Sequence, residues 1–175
     1  DLPGEYDEET MPYMLNGGTK SFYTRILTEQ VDKVINVPVL KNAGPSVTLC
    51  LKNLAYGATS NTARGHQIWS RFIAEACAFP PIRDKTVLHI IDGLRGCYDG
   101  GPAAVARYIW SSGTIWLATD PVAADRVGWE FIHAKRVKEG LAQEGDLETA
   151  FRQVDKLARA EKLGLGRFAA EGIER

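Results

Sequence analysis

A chain of 175 residues with 45% hydrophobic residues can bury a substantial core, and one globular domain is its default organisation. Its 21 Lys and Arg against 22 Asp and Glu give a formal charge of −1, so no bulk field draws it to nucleic acid or an anionic membrane. No apolar run approaches the roughly 20 residues of a bilayer-spanning helix, and Cys50, Cys77 and Cys97, odd in number and without C-x-x-C spacing, indicate neither a disulfide framework nor a zinc site.

Residues 1–25, with Pro3, Gly4, Pro12, Gly17 and Gly18, read as an irregular arm, and residues 26–175 as a single α/β domain. Phe22 to Gln30 fits a helix or an edge segment. Val34 to Leu40 is a β-branched apolar run that predicts a buried strand, stopped by Lys41-Asn42-Ala43-Gly44-Pro45. Ser46 then serves as N-cap of a helix from Val47 to about Tyr56. Gly57 to Gly65 is a loop of small polar residues, and Ile68, Phe72, Ile73 and Ala76 mark a helix ended by Pro80-Pro81.

Thr86 to Ile91 predicts a second buried strand ended by Asp92-Gly93, followed by a glycine-dense loop from Arg95 to Pro102. A third strand is expected at Thr114 to Ala118. Asp120-Pro121 is a strong helix start, because Asp accepts from free amides and Pro fits the first helical position. That helix should reach Glu139 and stop at Gly140. Asp146 is expected to cap another, from Leu147 to Leu163, with Leu147, Phe151, Val154, Leu157 and Ala158 on one face. Strands alternating with helices predict an α/β fold, three-layer or two-layer, around a small, largely parallel sheet. Ligands in such sheets sit at the strand carboxyl ends, here Lys41, Asp92 and Thr119-Asp120.

Lys41 and Lys52 sit beside apolar segments, where lysine needs a reason to be. Two readings stand for them. With the free amides after Ser46 they cradle a phosphate or carboxylate, or Lys52 extends to solvent and pairs with Asp92 or Asp120. Asn53 orients a ligand or bonds to backbone. Arg64 and His66 flank Gly65 and can reach the same crevice as anion clamp and proton donor, or His66 is a plain helix-start residue. Asp120 joins a carboxylate cluster or is pure cap. His89 reads as a satisfied core histidine and His133 as a surface one. No G-x-S-x-G, P-loop or G-x-G-x-x-G is present, which removes support for hydrolase, kinase and dinucleotide readings.

INVPVLK (Ile35 to Lys41), VTLCLKNL (Val47 to Leu54), Arg64-Gly65-His66, HIIDGLRG (His89 to Gly96) with Gly100-Gly101-Pro102, and TDPVAAD (Thr119 to Asp125) together resemble the domain of unknown function 362 family. The resemblance runs from about Ile26 to Gly140, and Lys162 to Gly166 is similar to the family's end. It implies an association with iron-sulfur proteins and, for the bacterial subgroup most similar to this chain, twin-arginine export to an extracytoplasmic location with much of the usual N-terminal half absent. Asn42-Ala43 stands where the family often has a histidine, and there is no C-x-x-C-x-x-C run for a four-iron cluster.

The expected function is binding of a small anionic ligand or protein redox partner through Lys41, Ser46, Lys52, Asn53, Arg64, His66, Asp92 and Asp120, linked to iron-sulfur electron transfer. Two alternatives accompany it. One is a non-catalytic interaction or scaffolding domain with a structural ion-pair network. The other is a metal-dependent enzyme using His66 with Asp92 or Asp120, although no metal set is assigned. Neither reaction, cofactor nor oligomeric state is legible.

Overall fold

The computed structural model describes residues 4–10, 21–44, 46–67, 69–149 and 151–174, without the side chains of residues 64, 67, 69, 151 and 152. Two short strands, β1 (Tyr6–Asp7) and β2 (Tyr23–Thr24), pair antiparallel and lead into a single π-helical turn, Ile26–Gln30. The described residues of the N-terminal arm therefore include a strand pair. Tyr23 is fully buried, stacks on Phe79 at 3.8 Å, and donates its hydroxyl to the Ala76 carbonyl at 3.0 Å.

The predicted strand over Val34 to Leu40 is broken into β3 (Val34–Asn36) and β4 (Val39–Asn42). Pro38 has no amide to give to a ladder, which accounts for the gap. Its carbonyl still accepts from Asp92, so both pieces run beside one long neighbour. β4 also continues through Lys41 and Asn42, where the sequence suggested a stop, because β5 (Val47–Thr48) folds back on it in an antiparallel hairpin. Gly44, at φ +63°, supplies the left-handed turn between them.

The crossover carries α1 (Cys50–Gly57), α2 (Thr62–Gln67), α3 (Trp69–Cys77) and α4 (Pro80–Lys85). Pro80 does more than end a helix: it occupies the first turn of α4, where its missing amide costs nothing. β6 (Thr86–Cys97) follows, twelve residues long, running straight through Asp92-Gly93. It is parallel to β3 and β4 and antiparallel to β7 (Ile109–Ala118). The segment joining β6 to β7 contains no crossover helix, so the third predicted strand returns antiparallel.

α5 (Pro121–Lys138) has the predicted bounds, with Asp120 capping Val122 N and Ala123 N at 2.8 Å. The last predicted helix is shortened. A 3₁₀ segment covers Glu144–Thr149, and α6 spans Phe151–Lys162. Its buried face is Gln153, Lys156, Leu157 and Ala160, rotated from the predicted stripe.

The fold is mixed α/β, as expected, with a five-stranded sheet and helices packed against it. Register assigns the two sheet faces. Leu40, Ile91 and Trp116 point to the helices, whereas Val39 lies beside Asp92 and Asp92 beside Ile115 on the other side. There Ile35, Val37, Val39, Ile115 and Leu117 are all exposed, so the architecture is two-layer. Among the described residues no helix is long and apolar enough to cross a membrane.

Candidate functional site

The chemistry-bearing residues gather where β5 turns into α1. Leu49 begins that helix without a side-chain cap. The free amide of Cys50 is instead taken at 2.6 Å by the Asp125 carboxylate, which reaches across from α5. The other Asp125 oxygen accepts from Lys156 of α6 at 2.9 Å, and both side chains are 0% exposed. The amide end assigned to an anion from the sequence is therefore occupied by the protein's own carboxylate. Ser46 is no N-cap: it is buried and donates its hydroxyl to Gln153.

Cys50 and Cys77 lie in the core, where burial, and then Asp125, push both thiols well up. They are packing groups rather than thiolate nucleophiles. Beneath α1 runs a second polar chain. Asn36 donates from Nδ2 to the Cys50 carbonyl and to His89 Nδ1, each at 3.0 Å, and accepts from Asn53 at 2.7 Å. A donor facing Nδ1 makes that nitrogen an acceptor, so His89 is neutral with its proton on Nε2. Burial lowers the His89 pKa, outweighing Asp125 and Asp120, which act in the raising direction. His89 is the satisfied core histidine expected, and Asn53 positions Asn36.

A cationic patch lies on the other side of α1. Lys41 and Thr48 are direct cross-strand partners, and Lys52 donates to Thr48 Oγ1 at 3.4 Å. Thr48 therefore pairs with Lys41 through the backbone ladder and with Lys52 through its hydroxyl. Lys52 is 8% exposed, stands 5.1 Å from the Tyr56 ring centre, and has its pKa lowered by burial, then by Lys41 and Lys156. Among the described residues neither Lys41 nor Lys52 has a carboxylate partner. His66 meets the same Tyr56 ring edge-on at 4.9 Å. Its Nδ1 donates to the Thr62 carbonyl at 2.7 Å, which leaves Nε2 directed elsewhere. His66 and Arg64 lie within α2, not on a loop, and the Arg64 side chain is outside the described residues.

Asp92 and Asp120 do not join this patch. Asp92 sits mid-strand on the open sheet face and accepts from Leu94 N. Asp120 caps α5 and accepts from Arg167 N at 2.8 Å. Ala118, just before Asp120, pairs with His89, whereas Lys41 pairs with Cys97. The roughly eight residues of β6 between those partners, at about 3.3 Å each, hold Lys41 and Asp120 roughly 25 Å apart. Parallel strands would have gathered these ends; the antiparallel return of β7 separates them.

Asn36, Gln153 and Lys156 escaped the sequence reading. A signal existed for each: Asn36 interrupts an apolar strand run, and Gln153 and Lys156 fall at helical spacing with Leu157 and Ala160. His133, expected at the surface, is half-buried, and its Nε2 has no hydrogen-bond partner among the described residues. Among those residues no group of three His, Cys, Asp or Glu is placed to hold a metal ion.

Comparison with curated proteins finds no match, and neither does comparison with solved structures. A family model does match, over residues 5–130, from β1 into α5, and so takes in the strand pair of the arm as well as the motifs from Ile35 to Asp125. On that match the chain belongs to the family described as Domain of unknown function (DUF362).

Proposed function

We propose that this domain binds a small anionic ligand at the patch formed by Lys41, Lys52 and His66. The observation that carries it is a lysine only 8% exposed, Lys52, beside a second cation and with no carboxylate partner among the described residues. Burying an uncompensated charge is costly, and a bound phosphate or carboxylate removes the cost. The Thr48 hydroxyl supplies a further donor, the His66 Nε2, with the ring proton held on Nδ1, supplies an acceptor for a protonated ligand oxygen, and Asn53 lies next along α1. Arg64, one residue before Gly65, belongs to the same proposed clamp. Asp92, Asp120 and Ser46 have structural partners of their own and are left out of it.

The test is isothermal titration with inorganic phosphate and with citrate at low salt. Saturable binding that weakens as salt is raised is expected, and Lys52→Met should abolish it. The same substitution should raise Tm by about 2–4 °C, the shift that roughly 1 kcal/mol produces in a domain of this size. A wild-type protein that binds neither anion sinks the proposal, as does unchanged binding by the Lys52→Met variant.

A second reading, an interaction domain, rests on the exposed apolar sheet face and on the buried Asp125–Lys156 pair, a structural ion pair between different residues from those first considered. An extracytoplasmic location and a link to iron-sulfur electron transfer come from the family resemblance and belong to the proposal. Fractionation of cells producing the native precursor tests the first, and reduction kinetics with a ferredoxin donor the second.

A further inference from the structure

We infer that the free edge of β7 receives an extended segment of another polypeptide, carrying apolar and basic side chains in alternation. β7 pairs with β6 along one side, and among the described residues no strand pairs with its other side. Its backbone amides and carbonyls there form an open template. Proteins blunt such edges with lysine, proline or inward charge. The β7 sequence, IWSSGTIWLA, contains no charged residue and no proline. Its pairing with β6 is irregular around Gly113, but Thr114–Ala118 is continuous and regular.

A groove of about 1190 Å³ runs along this same stretch. Its walls are β7 from Ile115 to Ala118, the first turns of α5 with Ala123 and Val127, and the C-terminal segment with Arg167, Glu171 and Glu174. An added strand would place alternate side chains on the two faces of the sheet. One row continues the exposed surface of Ile115 and Leu117, which are 56% and 69% accessible, and calls for apolar residues. The other row lies on the Trp116 and Ala118 side, toward α5 and the C-terminal segment, where among the described residues the groove's carboxylates, Asp120, Glu171 and Glu174, outnumber its one guanidinium, that of Arg167. Asp120 is already committed to three backbone amides, whereas Glu171 and Glu174 have no ion-pair partner among the described residues. Basic side chains complete that row. Backbone pairing gives such recognition its affinity and alternate side chains its specificity.

The experiment uses the ¹⁵N-labelled chain and a capped hexapeptide of alternating lysine and valine. Addition of the peptide should slow hydrogen exchange of the outward amides within Thr114–Ala118. A hexapeptide of alternating glutamate and valine should bind about tenfold more weakly at low salt. The double variant Glu171→Lys, Glu174→Lys, altered at exposed positions, should reverse that preference while its melting temperature stays that of the parent.

Absence of added protection in β7 overturns the inference. So does equal binding by a lysine-valine peptide N-methylated on its backbone, which would show a groove that takes side chains without a strand. Protection that grows with protein concentration in the absence of peptide, with a dimer in sedimentation, would assign the edge to a second copy and overturn it as well.

Discussion

His89 sits under α1 with its Nδ1 filled by Asn36 and its ring buried, so its charged form is disfavoured in the folded chain. The consequence for pH follows from linkage. Well above the ordinary histidine value of about 6.5, folded and unfolded states both hold a neutral ring and stability is unaffected. As pH falls through that value the unfolded chain takes up a proton that the folded one refuses, and stability falls with it until the depressed folded pKa is reached. Urea unfolding between about pH 7.5 and pH 5 should show this loss, at up to about 1.4 kcal/mol per pH unit. His89→Gln keeps an acceptor for Asn36 and removes the titration, so its stability should be flatter over that window. An unchanged slope would mean that another group carries the acid sensitivity. Lys52 is perturbed in the same sense of favouring the neutral form, but its position beside Lys41, rather than packing under a helix, makes it a binding candidate and His89 a structural one.

Between elements, α5 approaches the sheet and α1 closely at a glycine. Gly128 is buried in the α5 face, and a Cβ added there would overlap Leu49 Cδ1, with Trp116 and Leu40 behind it. Gly128→Ala should therefore destabilise by about 1–3 kcal/mol, the usual range for overpacking, measured by chemical denaturation. A neutral effect would show that Leu49 can rotate away. Helix α5 was legible because its start and stop are local: Asp120-Pro121 and Gly140 need no tertiary partner to act. The strand pair β3 and β4 was half legible, since apolar alternation marks a strand but the consequence of Pro38 depends on what lies alongside. The N-cap assigned to Ser46 failed for a non-local reason. The carboxylate that satisfies the start of α1 comes from Asp125, far along the chain, and nothing near Ser46 announces it. The α6 face was misplaced in the same way, because Lys156 counts as polar in any periodicity reading and becomes a core residue only once Asp125 is opposite it.

Over the whole molecule, the direction of β7 decided how much of the candidate site could be read. Lys41, Lys52 and His66 come together because β4, β5, α1 and α2 follow each other closely in the chain. Asp92 does not join them because β6 runs on past it and turns its side chain to the open face, and Asp120 does not because β7 runs antiparallel and carries its carboxyl end to the far side. The described helices pack on one face of the sheet and leave an apolar face opposite, and the two proposed contact regions lie at opposite edges of that sheet, one beside β5 and the other along β7.

Asp125 makes bonds to α1 and α6 from α5, so a single carboxylate ties α1 to two helices far along the chain. Loosening any one of them exposes a buried charge, and breaking such a pair costs about 3–5 kcal/mol. These helices should then open as one cooperative unit, with the protected amides of α1, α5 and α6 exchanging at a common free energy while the β1–β2 arm exchanges earlier. In Lys156→Met that shared value should fall by about the cost just given, and separate opening of α6 would show that its attachment is apolar instead.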